Sequence, residues 1–223
     1  MAWLPTAGPN ATEGKMIRTP TGNAVFFSGA FYVLQTPLTA QTTNTSSTLF
    51  TNDTTASTTT GLYPTVNLGT QPFTQYPGSS RVLPPGSLTA GTFINMDFYG
   101  LGTFTSNTLV LTLGLVGPYP ATTYTAIATT TSATATAAGA GAFFHINAGF
   151  SVTTTGSLAT TGTNGTLTGQ INIEYSPTGV MATSPMVAVS FDTTQQYTID
   201  MRATWGGGSN SLQLAYGAIE VIG

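Results

Sequence analysis

The run from Tyr197 to Trp205 carries the clearest pattern in the chain. Tyr197, Ile199, Met201, Ala203 and Trp205 alternate with Thr198, Asp200, Arg202 and Thr204. Successive side chains of a strand point to opposite faces, so this order predicts a strand with one dry and one wet face. Phe144, Ile146, Ala148, Phe150 and Val152 repeat it, with His145, Asn147, Gly149 and Ser151 opposite. Leu167, Gly169, Ile171, Ile173 and Tyr175 do so again against Thr168, Gln170, Asn172 and Glu174. Leu109, Leu111 and Leu113 predict a further strand, and the run from Thr92 to Phe98 alternates in part. Val187, Val189 and Phe191 form another apolar face. Gly206-Gly207-Gly208-Ser209-Asn210 makes a turn, and two segments, Leu212 to Tyr216 and Ala218 to Ile222, finish the sheet.

Elsewhere the signal is weaker. Residues 39–62 are mostly Thr, Ser and Asn, which predicts a long loop with one weak strand near Leu49-Phe50. Ala126 to Ala142 is rich in Ala, but Thr and Gly interrupt it and no apolar stripe forms, so a loop and a weak strand are expected. Residues 1–40 stand apart, with four prolines and half of the basic residues. Their apolar runs, Val25-Phe26-Phe27 and Phe31-Tyr32-Val33-Leu34, flank Ser28-Gly29-Ala30. They read as a hairpin or as an arm that adds to a neighbour's sheet edge. Eight or so short strands between turn clusters give an all-β expectation: a jelly-roll β-sandwich over residues 41–223 with an extended N-terminal arm over 1–40.

Composition narrows the function classes. Of 223 residues only 5% are charged, seven acidic and four basic, for a net charge of −3. An average globular chain carries about 25%. Nucleic-acid binding needs clustered Lys and Arg, so no nucleic-acid partner is expected. A surface this poor in charge favours association. There is no cysteine, hence no disulfide framework. No apolar stretch reaches the length of a spanning helix and the start lacks a signal-peptide pattern, so no membrane partner is expected and synthesis is placed in the cytoplasm.

The chemistry-bearing residues are few. His145 is the single histidine, and no acid near it in sequence completes a triad or a metal pair. It reads as a surface or interface residue. Asp97, Glu174, Asp192 and Asp200 are the carboxylates from which a glycosidase pair would be drawn. Asp200 has a nearer partner in Arg202, on the same face, and Asp192 in Asp-Thr-Thr reads as a turn cap. No catalytic, metal or cofactor residue is assigned, and no enzyme is expected. Trp205 is expected in the core. The arm aromatics Phe26, Phe27, Phe31 and Tyr32 have less local core to enter and are the candidates for partner contacts.

Leu83-Pro84-Pro85-Gly86-Ser87-Leu88 with Gly91, Thr108-Leu109-Val110-Leu111-Thr112-Leu113-Gly114, Phe191-Asp192-Thr193-Thr194, Ala203-Thr204-Trp205 and the final Ile219-Glu220-Val221 form a second kind of signal. Together they resemble the jelly-roll domains of tailed-phage virion proteins: capsid decoration (cement) proteins, head fibres and some tail proteins. The resemblance covers roughly residues 41–223. It implies a homotrimer on the capsid surface, bound to the major capsid protein and without catalytic residues. The expectation is therefore a decoration protein that ties capsid subunits together. The alternative is a receptor- or carbohydrate-binding module of a fibre, in which Tyr119, Tyr124 and Tyr175 stack on a host-surface glycan.

Overall fold

The computed structural model describes residues 15–18, 25–28, 30–34, 37–51, 73–75, 81–83, 86–105, 108–118, 121–134, 138–156, 165–175 and 179–222. Every regular element in them is a strand. Strands β1 (Lys15–Arg18) and β2 (Val25–Ser28) pair with each other. Then come the short strands β3 (Ala30–Leu34), β4 (Ser47–Thr48), β5 (Phe73–Gln75) and β6 (Val82–Leu83). The body begins with β7 (Phe93–Phe104), β8 (Thr108–Val116), β9 (Tyr124–Thr129), β10 (Ala133–Thr134) and β11 (Ala138–Thr154). It ends with β12 (Gly165–Tyr175), β13 (Gly179–Thr183), β14 (Val187–Phe191), β15 (Tyr197–Trp205) and β16 (Ser211–Ile222).

Apart from the β1-β2 pair, these strands make two antiparallel sheets. The large one runs β13-β12-β11-β7-β16-β3-β5, with β14 also on β12. In the small one β8 and β15 lie at the centre. Strands β9 and β10 flank β8, while β4 and β6 flank β15. Pairing is nested, β7 with β16 and β8 with β15, as in a jelly roll. Two sheets that are each apolar on one face are both dried by packing those faces together. One core results: Ile94, Met96, Phe98, Phe144, Ile146, Phe150 and Ile171 from the large sheet meet Leu109, Leu111, Leu113, Leu115, Ile199 and Met201 from the small one. The chain is an all-β sandwich, as its alternation predicts.

Two glycines let aromatic rings approach the backbone closely. A Cβ on Gly100 would sit 2.0 Å from the Gln213 carbonyl oxygen and 2.6 Å from the Phe144 ring. One on Gly114 would strike the Tyr124 ring at 2.7 Å.

Several details differ from the sequence expectation. The region from Ala126 to Ala142 supplies most of β9, all of β10 and the start of β11, because backbone pairing with β7 and β8 needs no apolar stripe. Val187 is exposed, Val189 is partly buried and only Phe191 of that trio is buried, since β14 sits at the margin of the sheet. The two closing segments form one strand, β16, with a register shift between Leu214 and Tyr216. Gly217 at φ 151° follows. The bulge changes which parity faces inward: Leu212 and Leu214 are buried before it, Ile219 and Val221 after it.

Of the segment expected as an arm, β3 pairs with β16 and β5 inside the large sheet. Leu34 and Leu38 are buried in the shared core. The next residues continue across the sandwich. Gln41 bridges Leu212, and its side-chain oxygen accepts the indole N–H of Trp205 at 2.9 Å.

Candidate functional site

The outer face of the large sheet is unlike an ordinary wet face. Of the seven large apolar side chains exposed among the described residues, five belong to it: Phe93, Leu101, Phe143, Tyr216 and Ile222, each 40–51% exposed. The register sets Leu101 opposite Phe143 and Phe93 opposite Ile222. Two apolar patches thus bracket a polar middle that contains Asn95, Asp97 and Asn147.

One row of this face carries Tyr216, Tyr99, His145 and Glu174 on four adjacent strands. The Tyr99 ring stacks on His145 at 4.3 Å and on Tyr216 at 4.9 Å, with interplanar angles of 9° and 11°. These spacings match the ~4.8 Å between strands, so the rings stand upright as a ladder. Both faces of Tyr99 are occupied by neighbours. Its phenol is pushed above the ordinary range, first by the Asp97 carboxylate and then by partial burial.

His145 acquires acids that its sequence neighbourhood lacks. Its Nε2 meets Asp97 Oδ1, and its Nδ1 lies 3.7 Å from Glu174 Oε2. Asp97 comes from β7 and Glu174 from β12, so only the strand register brings them together. The imidazole sits between the two carboxylates.

A different site lies on the outer face of the small sheet. It is an open cleft of about 520 Å³, lined by residues 46–48, 50–51 and 81, by Val116 and Thr122, and by Thr198, Asp200 and Arg202. The segment that Gln41 anchors forms one wall, and β15 and β8 form the floor. Asp200 is buried, which a carboxylate tolerates only with partners. Arg202 Nε donates to its Oδ2 at 2.8 Å, and Thr48 donates to its Oδ1. The Arg202 guanidinium also lies 4.0 Å over the Tyr124 ring, and burial pushes the Tyr124 phenol up. Arg81 is buried at the cleft's edge, donating to the Ile199 carbonyl at 2.6 Å and resting 4.3 Å over the Phe50 ring.

The residues singled out from sequence are distributed as follows. Phe26 and Phe27 lie on β2, opposite Ile17 and Met16; Phe31 and Tyr32 lie on β3, opposite Glu220 and Ile219. Asp200 and Arg202 pair as their spacing on one face predicts, although Asp200 is buried rather than exposed. Asp192 caps its turn by accepting the Thr194 N–H at 3.1 Å. Trp205 is in the core. Of the tyrosines considered for sugar stacking, Tyr175 is buried with its ring edge-on to Phe104 at 4.6 Å. Tyr124 is covered by Arg202, and Tyr119 falls outside the described residues. Sequence reasoning missed the Tyr216–Tyr99–His145 ladder and the cleft, since both are assembled across strands.

No known family model matches the chain. No curated protein matches it either. Among solved structures, a lectin described as UEA-II complexed with galactose is similar over 63% of this chain and 78% of its own, at 7% identity and a TM-score of 0.31.

Proposed function

We propose that this chain is a structural protein of a tailed-phage virion, a capsid decoration protein that acts as a homotrimer on the capsid surface rather than as an enzyme. One observation carries the reading: most of the exposed large apolar side chains among the described residues gather on one outer sheet face. Exposed apolar patches rimmed by polar residues mark an association site, and a chain with 5% charged residues has little to keep copies apart. The turn and strand patterns shared with virion jelly rolls direct that association to a capsid. The mechanism is added buried area across subunit boundaries, about 800 Å² per partner for a stable contact. Phe26 and Phe27 of β2 and Phe31 and Tyr32 of β3 are proposed contacts to the major capsid protein.

Light scattering of the purified chain, with and without empty capsids, tests this. The expected result is a trimer that co-sediments with capsids. The variant Leu101→Glu with Phe143→Glu, at two exposed positions, should give a folded monomer with unchanged circular dichroism. A wild-type monomer, or a doubly substituted chain that is still trimeric, would refute the assembly face.

A further inference from the structure

Assembly through the large sheet makes no use of the cleft on the opposite side of the sandwich. We infer that this cleft binds the carboxylate of an acidic saccharide. Arg202 is the anion contact, and the Ser and Thr walls take the sugar hydroxyls.

Charge placement comes first. The chain has four cationic side chains, and two of them, Arg81 and Arg202, line this one cleft. Asp200 offsets one charge, and both its oxygens already accept hydrogen bonds, from Thr48 and Arg202. The Asp200 carboxylate is thus fully engaged beside Arg202.

Arg202 is also held ready. Its Nε is committed to Asp200 and its plane rests on Tyr124. Among the described residues, no protein acceptor takes its two terminal nitrogens. A guanidinium fixed in this way offers a planar fork that fits a carboxylate with two parallel hydrogen bonds. Because the side chain is already ordered, little rotamer freedom is lost on binding.

The walls point to a sugar rather than to a bare anion. The hydroxyls of Ser46, Thr122 and Thr198 have no protein partner among the described residues. Ser47 Oγ accepts from Thr43 at 2.7 Å and keeps its own proton to give. Each hydroxyl both donates and accepts, as sugar hydroxyls do. Val116 adds an apolar floor. A volume of about 520 Å³ lies within the range of small-molecule sites.

The test is calorimetry of the full chain with three probes: a galacturonic-acid trisaccharide, a neutral galactose trisaccharide and sodium phosphate. The expected result is saturable binding of the acidic trisaccharide below about 1 mM, with the neutral one at least about tenfold weaker. Ser46→Trp fills the cleft from an exposed position without touching the ion pair. It should abolish binding and leave the melting temperature unchanged. Arg202→Lys keeps the charge but loses the fork and should weaken binding about tenfold. Arg202→Gln leaves Asp200 buried without its cation, and should it fail to fold, Ser46→Trp decides the matter. Equal binding of the two trisaccharides, undiminished binding by Ser46→Trp, or no binding of any probe would overturn the inference. Displacement of the acidic trisaccharide by equimolar phosphate would overturn its saccharide part and leave a simple oxyanion site.

Discussion

Replacing Trp205 by Phe probes how the segment after β3 is fastened to the sandwich. Trp205 and Gln41 are both about 3% exposed and share one hydrogen bond, indole N–H to side-chain carbonyl, at 2.9 Å. Phe removes the donor and leaves the Gln41 oxygen buried without a partner, a loss of about 1–3 kcal/mol. The smaller ring also vacates space beside Phe104, whose ring centroid is 5.7 Å away, for about 1 kcal/mol more. The sum of about 2–4 kcal/mol corresponds to a fall in melting temperature of roughly 4–16 °C for a domain of this size. Gln41→Met alone leaves the indole N–H buried and unpaired, for about 1–3 kcal/mol. The double variant removes both polar atoms, so its cost should fall short of the sum by about 1–2 kcal/mol. Urea unfolding followed by far-ultraviolet circular dichroism measures all four proteins without relying on tryptophan emission. Strict additivity, within about 0.5 kcal/mol, would show that the hydrogen bond does not couple the two residues and would refute the reasoning. The same segment walls the cleft, so Trp205→Phe should also weaken binding of the acidic trisaccharide.

Gly100→Ala places a Cβ against a backbone oxygen at 2.0 Å. It should cost about 1–3 kcal/mol by forcing β7 and β16 apart, read as a lower urea midpoint. Phe150→Ala removes a ring that is 1% exposed and should cost about 3–5 kcal/mol in the same assay. Burial, aided by the Asp192 carboxylate, pushes the Tyr197 phenol up to about 12. The folded state then holds this proton more tightly than the unfolded chain, whose tyrosines titrate near 10. The resulting stability is complete below pH 10 and is lost as pH rises through about 12. Melting temperatures between pH 10 and 12 should fall less steeply for Tyr197→Phe than for the wild type.

The fold was legible where burial is one-sided. In β12 and β15, and in β11 from Phe144 to Val152, strict alternation names the inward residues, and Ile171, Ile199 and Phe150 are indeed buried. It was less legible at margins and irregularities. Val187 alternates like a core residue but is exposed on β14 at the margin of the sheet. Gly217 reads as a break because a bulge, like a turn, selects a glycine at positive φ. The site was less legible still. His145 gains Asp97 and Glu174 from strands on either side of it, a neighbourhood set by register rather than by local sequence. The Asp200–Arg202 pair was visible because its spacing of two residues lies within one strand. The Thr48 and Tyr124 contacts that turn the pair into a cleft come from other strands and were not visible.

The position of β16 between β7 and β3 has a consequence for how the protein is made. Until residues 211–222 have been synthesised, β7 has a whole edge without its partner, along eleven paired positions from Phe93 to Thr103. An unpaired strand edge is a template for another chain's backbone, and this sequence has few charges with which to repel one. Closure also brings Phe31 beside Glu220, a contact between distant parts of the chain that slows folding. Nascent chains emerging close together are thus most exposed to mispairing until β16 has emerged, and slow, cool expression should favour the folded product.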